Sequence, residues 1–411
     1  MLSVFYVGSF IEGDSDRYTA KEASILINSY IERLLLLPKY ILYKIFLFVL
    51  PVKNDVVAFE AYWGKGYSCN PKAISDFLES FDNIKRVWFF TQLPSEINEG
   101  IIPVKKFSLK YFYYLAVSGC FISNANHPNF FTKRKGVVFV QTKHGTPLKK
   151  MGIDELETKQ SSESAYKALE NRCNNWDYVI SSNKFSTVQW KSSFPFDYKI
   201  LETGYPRNDL LFNYSSADIE KVKENLGIDV SDSRKIILFM PTFREYHEKP
   251  EYYIDFNDLA DKVSLEYIIL VRAHYFNDGM SNIPSLPSVL DVTLYPNVEE
   301  LYLITDVMVT DYSSSMFDYA CLKRDTILYV PDYNEYSEKR GLNFDITADA
   351  PGLIVYNYED LIKSLTEKSY NNADQKLQAK KFNLKFCNFD DGQASRRVAE
   401  QVFKYIITDI K

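Results

Sequence analysis

Gly136–Lys150 reads GVVFVQTKHGTPLKK. The run Gly136–Thr142 is short, rich in valine and phenylalanine, and then breaks into Lys143-His144-Gly145-Thr146-Pro147. A brief apolar run closed by glycine and proline has the pattern of a buried strand. Buried strands of this kind belong to parallel sheets with helices on both faces. Working outward, the pattern repeats. Val56–Trp63, Val87–Thr91 and Cys120–Asn124 precede it, and Tyr178–Ser182 and Ile200–Gly204 follow. Pro71–Phe81, Ser108–Ser118 and Glu155–Arg172 read as the helices among them. Pro206 and the polar stretch after Asn213 mark a break.

A second series begins beyond that break. Lys235–Met240, Tyr267–Val271, Val289–Leu294, Val307–Thr310 and Thr326–Val330 read as strands. Ser216–Leu226, Phe256–Val263, Val298–Ile304 and Ser315–Leu322 read as helices. Two such series predict an α/β chain with two parallel-sheet domains, 53–212 and 213–388. A C-terminal segment, 389–411, carries an amphipathic helix over Ala394–Lys411.

The bulk properties narrow the classes. At 411 residues the chain is long enough for two or three domains and needs no disulfide staples. An apolar fraction of 46% with 25% charged residues excludes disordered and fibrous chains. The balance of 48 − 54 = −6 argues against nucleic acid as a partner. Five scattered Cys without a CxxC pair read as reduced thiols of a cytosolic protein. Four His, at 127, 144, 247 and 274, have no metal-binding spacing, so no metal is expected. The 31 Tyr and 29 Phe are spread over both halves and read mainly as core.

No secretory signal is legible at the N-terminus. Residues 1–52 read as a helical segment, and Ile25–Val52 mixes apolar runs with Arg33, Lys39, Lys44 and Lys53. Its apolar run is too short to span a bilayer, which takes about 20 apolar residues. Two readings fit: a helix lying in a membrane interface, or one docked on the core.

Ligands in open α/β sheets bind beyond the carboxyl ends of strands. Four strand ends therefore stand out. His144 follows the first quoted strand, and Gly145 permits a sharp turn beside it. An imidazole there can accept a proton from an attacking hydroxyl. Thr242 and Arg244 follow Lys235–Met240 and suit a phosphate. Arg272 and His274 follow Tyr267–Val271 and can neutralise charge built up during transfer. Thr310-Asp311-Tyr312-Ser313-Ser314-Ser315 opens a helix, where hydroxyls and free N–H groups favour an anion. Glu299 and Glu300 begin the preceding helix and can accept ribose hydroxyls, or simply complement the helix dipole. His127, after Asn124-Ala125-Asn126, reads equally as an acceptor contact or as structural. His247, among charged residues, reads as solvated.

Eight landmarks in order resemble the CDP-glycerol glycerophosphotransferases of teichoic acid and capsule synthesis. They are Phe59-Glu60 with Gly64 to Ala73; His144 to Lys149; Gly204-Tyr205-Pro206-Arg207-Asn208-Asp209; and Pro241 to Arg244. Arg272 to Tyr275, Glu300-Leu301-Tyr302, Thr310 to Ser314 with Phe317-Asp318, and Asp390 to Ser395 complete the set. Lys143 stands where the family often has Trp. The resemblance implies a GT-B architecture, two Rossmann-like domains facing a cleft. It implies a donor, CDP-glycerol or CDP-ribitol, held mainly by the second domain, with no cofactor required. It further implies a lipid-linked saccharide or growing polymer as acceptor, and a peripheral position on the cytoplasmic membrane face. Self-association is left open. On this view His144 is the base, and His274 with Arg272 stabilises the pyrophosphate. Thr242, Arg244, Asp311, Ser313 and Ser314 form the phosphate site. Asn124, His127, Gly145, Arg207 and Asp209 serve the acceptor side or the scaffold. A nucleotide-sugar glycosyltransferase and a non-catalytic polymer-binding module are the competing readings.

Overall fold

The structure, a computed structural model, describes residues 36–244, 246, 252–273 and 283–404. His247 and His274, and the expectations placed on residues 1–35 and 405–411, lie outside the described residues.

Both sheets are wholly parallel. In the first, β1 (Lys53–Glu60), β2 (Lys85–Phe90), β3 (Ile101–Lys105), β4 (Ser118–Ser123), β5 (Val138–Gln141), β6 (Tyr178–Ser181) and β7 (Lys199–Glu202) take the order β3-β2-β1-β4-β5-β6-β7. In the second, β8 (Lys235–Met240), β9 (Tyr267–Val271), β10 (Val289–Asp291), β11 (Val307–Thr310), β12 (Asp325–Tyr329) and β13 (Leu353–Val355) take the order β10-β9-β8-β11-β12-β13. The central strands are covered on both faces, so every side chain from Val57 to Phe59 and from Val307 to Val309 is buried. That explains their unbroken apolar runs.

The two strands missing from the sequence reading are β3 and β13, and both lie at sheet edges. β3 carries Pro103, which an edge tolerates because one of its sides needs no ladder hydrogen bond. β13 has only three residues. The helix expected over Glu155–Arg172 is two helices, Gly152–Thr158 and Glu163–Cys173. Gln160, at φ 48°, breaks them apart.

The chain crosses between the domains twice. The first crossing follows β7. The second follows helix Ala373–Phe386, where Asn183 Nδ2 donates to Phe386 O at 2.9 Å. The last helix, Ala394–Val402, then returns to the first sheet. Its Val398 and Ala399 pack with Ile74, Leu78 and Tyr205. Full burial of Val398 and of Phe403 is worth about 1.5–3 kcal/mol each. The C-terminal segment thus straps the second domain to the first.

Residues 36–49 form a helix on the first domain. Tyr43 is buried against Phe112 and Phe130, and the Tyr40 ring lies tilted against Phe130 at 4.7 Å. The opposite face carries Leu37, Ile41, Ile45, Phe48 and Val49 in solvent, with Phe48 91% exposed. Among the described residues no helix is long and apolar enough to cross a membrane.

Candidate active site

Five strand ends converge on one cavity of about 340 Å³ between the sheets. β5 delivers His144 and Gly145, β8 delivers Pro241 and Thr242, and β9 delivers Arg272. β10 adds Thr293, and β11 adds Ser313 and Ser314.

His144 is held from its own domain. Its Nδ1 lies 2.9 Å from the backbone oxygen of Asn124. A carbonyl can only accept, so Nδ1 carries the proton and Nε2 keeps its lone pair. Asn124 also receives the backbone N–H of Tyr62 on Oδ1 at 2.8 Å. Tyr62 in turn places its ring 5.8 Å from the imidazole. The imidazole keeps an exposed edge. The walls around it still strip enough water to hold its pKa below 6.5, aided by the Arg207 and Lys143 charges and opposed by the Asn124 bond. A neutral imidazole with a free lone pair suits a general base.

Gly145 brings the two domains together. Its φ is +152°, and a Cβ there would fall 2.5 Å from Ser314 Oγ. The imidazole loop and the serine turn therefore touch. Ser313 Oγ receives Ser315 N–H at 3.3 Å and the Ser315 hydroxyl at 2.8 Å, which fixes the turn. Thr242 Oγ1 is buried at the cavity wall with no partner among the described residues. Arg272 donates to Tyr295 O at 2.6 Å and Val292 O at 3.2 Å, and burial lowers its pKa below the usual guanidinium range. A guanidinium remains cationic regardless.

Several expectations need correction. Arg244 is not in the cavity. It is buried, and its Nε and Nη2 donate to Asp332 at 2.7 and 2.9 Å, while Nη1 donates to Asp311 at 2.8 Å. Burial works against both charges of the Arg244–Asp332 pair, yet their contact raises the arginine pKa and lowers that of the carboxylate. Tyr312 and Tyr336 flank the guanidinium at 5.0 and 5.1 Å. Asp311 likewise lies outside that cavity: it accepts Thr242 N–H at 2.9 and 3.1 Å, so it shapes the loop after β8.

Glu299 and Glu300 line a different cavity, of about 490 Å³, at the domain junction. Glu300 accepts from Tyr295 at 2.7 Å and Asn297 at 2.8 Å. Glu299 is buried 3.6 Å from Arg207, and burial raises its pKa against the pull of Arg207. Arg207 and Asp209 are junction residues too. Arg207 donates to Asp318 across the domains, and Asn208 donates to the same carboxylate at 3.1 Å. Burial opposes the Arg207 charge, but Asp318 and its neighbours raise its pKa overall. Asp209 accepts the first N–H groups of the last helix, from Ala394 and Ser395, at 2.8 Å each.

His127 does not line the His144 cavity but a separate one on the first domain. It packs on Phe131 and Phe139, and its ring nitrogens lie 3.0 and 3.3 Å from backbone oxygens of Pro128 and Arg172. Lys143 turns away from the cleft. Its Nζ sits 3.6, 4.3 and 4.7 Å from the rings of Phe194, Trp176 and Trp190, and burial pushes its pKa down to about 7. Among the described residues no group of three His, Cys, Asp or Glu could hold a metal ion. All five Cys are free and buried.

The sequence reading missed Tyr62, Asn70, Thr293 and Arg340. Asn70 was legible only as part of the Gly64–Ala73 landmark. Its Nδ2 bonds the carbonyls of Thr142 and Lys143 and its Oδ1 bonds Arg207 N, which fixes the turn that aims His144.

Residues 41–404 match the family model for CDP-glycerol:poly(glycerophosphate) glycerophosphotransferase. The chain is 33% identical over 371 residues to the teichoic acid poly(glycerol phosphate) polymerase of Bacillus spizizenii, covering 86% of this chain and 93% of that protein. It is 35% identical over 372 residues to the teichoic acid glycerol-phosphate transferase of Staphylococcus aureus, covering 86% and 94%. In structure it matches a histidine variant of the wall teichoic acid polymerase TagF with CDPG, at TM-score 0.83 and 29% identity over 94% and 99% of the two chains.

Proposed function

The chain belongs to the CDP-glycerol:poly(glycerophosphate) glycerophosphotransferase family, and from that premise we propose how its cleft carries out the transfer. The protein is a phosphotransferase that moves glycerol phosphate from CDP-glycerol to a hydroxyl of a teichoic-acid-type acceptor. The acceptor oxygen attacks the glycerol-side phosphorus. A new P–O bond forms, the bond to the bridging oxygen breaks, and CMP leaves. The acceptor proton goes to His144 Nε2. Arg272 and the Ser313–Ser314 turn take up charge on the departing CMP phosphate, with Thr242 Oγ1 as a further hydrogen-bond donor. His274, two residues beyond Arg272, is assigned to the same charge. Phosphoryl transfer rests mainly on positioning and electrostatics, and this set supplies both without invoking a metal or cofactor.

The observation that carries the reading is the Asn124-bound imidazole facing a cavity built from five strand ends. The test is incubation with CDP-glycerol or CDP-ribitol and a lipid-linked disaccharide analogue, with product length read by mass. CMP release with glycerol phosphate added to the acceptor supports the reading. Release of CDP, or no turnover with either donor, refutes it.

The acceptor is carried on lipid, so the protein is placed at the cytoplasmic membrane face. Helix 36–49 supports this. Leu37, Ile41, Ile45 and Phe48 recur at helical spacing on its open face. Phe48→Glu should lower co-sedimentation with anionic vesicles; an unchanged bound fraction would remove the anchor from the account.

A further inference from the structure

A cavity of about 550 Å³ lies on the first domain, apart from the cleft. The loop after β4 walls one side of it, and helix Glu163–Cys173 walls the other. Lys167, Ala168, Asn171 and Arg172 stand three and four apart, so they form one face of that helix.

Three cations line the cavity, Lys133, Lys167 and Arg172, and among the described residues no Asp or Glu does. Lys133 is engaged, because Asp177 accepts its Nζ at 2.6 Å and the Phe139 N–H at 2.7 Å. Lys167 and Arg172 meet no carboxylate among the described residues, and the buried Nε of Arg172 has no hydrogen-bond partner there. Glu163 and Glu170 belong to the same helix, but helical spacing turns them off the lining face. The carbonyls that end the helix are already taken. Glu170 O accepts the Asn174 N–H, Asn171 O accepts the Asn175 side chain, and Arg172 O accepts the Asn175 N–H. The cavity therefore presents positive charge in a chain whose balance is −6.

Its rim is bonded to helix 36–49. Lys44 Nζ donates to Thr132 Oγ1 at 3.0 Å, and the Tyr43 hydroxyl donates to Thr132 O at 3.5 Å. Lys44 comes three residues after Ile41 and four before Phe48, so it stands in the exposed apolar row. Tyr43, Leu169 and Cys173 pack in one core cluster, so both helices cover the same face of the first sheet.

A cationic cavity beside an exposed apolar row matches a molecule with phosphate at one end and hydrocarbon at the other. We propose that this cavity binds the phosphate of a membrane lipid through Lys167 and Arg172, while Leu37, Ile41, Ile45 and Phe48 enter the hydrocarbon edge. This rests on the membrane-face reading above. A headgroup held there fixes the roll of helix 36–49 on the bilayer, which an apolar row alone leaves free. Two lipids carry such a phosphate: bulk anionic phospholipid, and a lipid diphosphate of the acceptor type.

The test is co-sedimentation of the full chain with vesicles of phosphatidylcholine alone, with added phosphatidylglycerol, or with an added lipid diphosphate. Lys167→Gln with Arg172→Gln is compared with a charge-matched pair on the second domain, Lys262→Gln with Lys368→Gln. The cavity pair should lower partition onto phosphate-rich vesicles roughly tenfold, and the matched pair should leave it near wild type. A loss on phosphatidylglycerol assigns the cavity to bulk lipid, and a loss confined to the lipid diphosphate assigns it to the acceptor. Partition unchanged in the cavity pair, or lowered equally by the matched pair, overturns the proposal. Lys167 is exposed, so Lys167→Gln alone serves if Arg172→Gln folds poorly; it should lose roughly threefold at an unchanged melting midpoint. A loss in Phe48→Glu without one in the cavity pair keeps the membrane reading and sinks the cavity. If the wild type binds no vesicle, the membrane-face reading has failed. Titration with dihexanoyl phosphatidylglycerol below its micelle concentration then tests the cavity alone, and equal affinity of wild type and cavity pair sinks it.

Discussion

The cleft and the junction lie side by side, and both are lined by charged and polar groups. They differ in what those groups face. In the cleft, His144 turns an open lone pair to the cavity, Thr242 Oγ1 has no partner among the described residues, and Ser313–Ser314 are half-exposed. At the junction, Arg207 is bound by Asp318 and Asp209 by the last helix. The cleft turns such groups toward the cavity, while the junction engages Arg207, Asn208 and Asp209 in contacts that hold two domains in register. A charged residue near a strand end is therefore no evidence of binding until its partners are known.

Substitutions should separate the regions. The largest effect on turnover is expected at His144. His144→Ala should slow CMP release by roughly 10³-fold, while donor affinity and thermal stability stay near wild type. Near-normal turnover would remove its role as base. Next comes Arg207→Met, which leaves Asp318 and Glu299 buried without their cation. Breaking a buried pair from one side costs about 3–5 kcal/mol. Denaturant unfolding should show this loss, and a variant as stable as wild type would mean the junction is not held by that pair.

The smallest effect concerns Lys143. Its folded pKa of about 7 lies well below 10.5, so folding disfavours the ammonium. Between those values the unfolded chain binds more protons, and stability rises with pH there. Below about 7 the full penalty remains. Lys143→Met should flatten that rise and stabilise the protein at neutral pH. An unchanged pH dependence would show that the aromatic cage tolerates the charge.

The sequence made the strand ends legible because central parallel strands are apolar throughout and stop sharply. Hence His144, Arg272, Ser313 and Ser314 could be read together, and they share one cavity. Edge strands β3 and β13 escaped, since an edge needs neither length nor continuous apolarity. The partners of Arg244 were not legible, because its carboxylates lie 67 and 88 residues away, beyond any local pattern. The same holds for Glu299, whose arginine arrives from the other side of the domain boundary. Lys143 followed its strand into the core, and neighbouring residues gave no sign that Trp176, Trp190 and Phe194 would enclose it.

The central claim is that a neutral His144 takes the acceptor proton. Its pKa is held below 6.5, so the base should be fully active at pH 7 and lost only on protonation. The decisive measurement is kcat/KM for CMP release from pH 5 to 8. The account predicts a plateau at neutral pH and a fall toward acid, of unit slope, with a midpoint below 6.5, missing from the residual rate of His144→Ala. A rate that does not fall with acid, or one whose midpoint lies above 7, would contradict it.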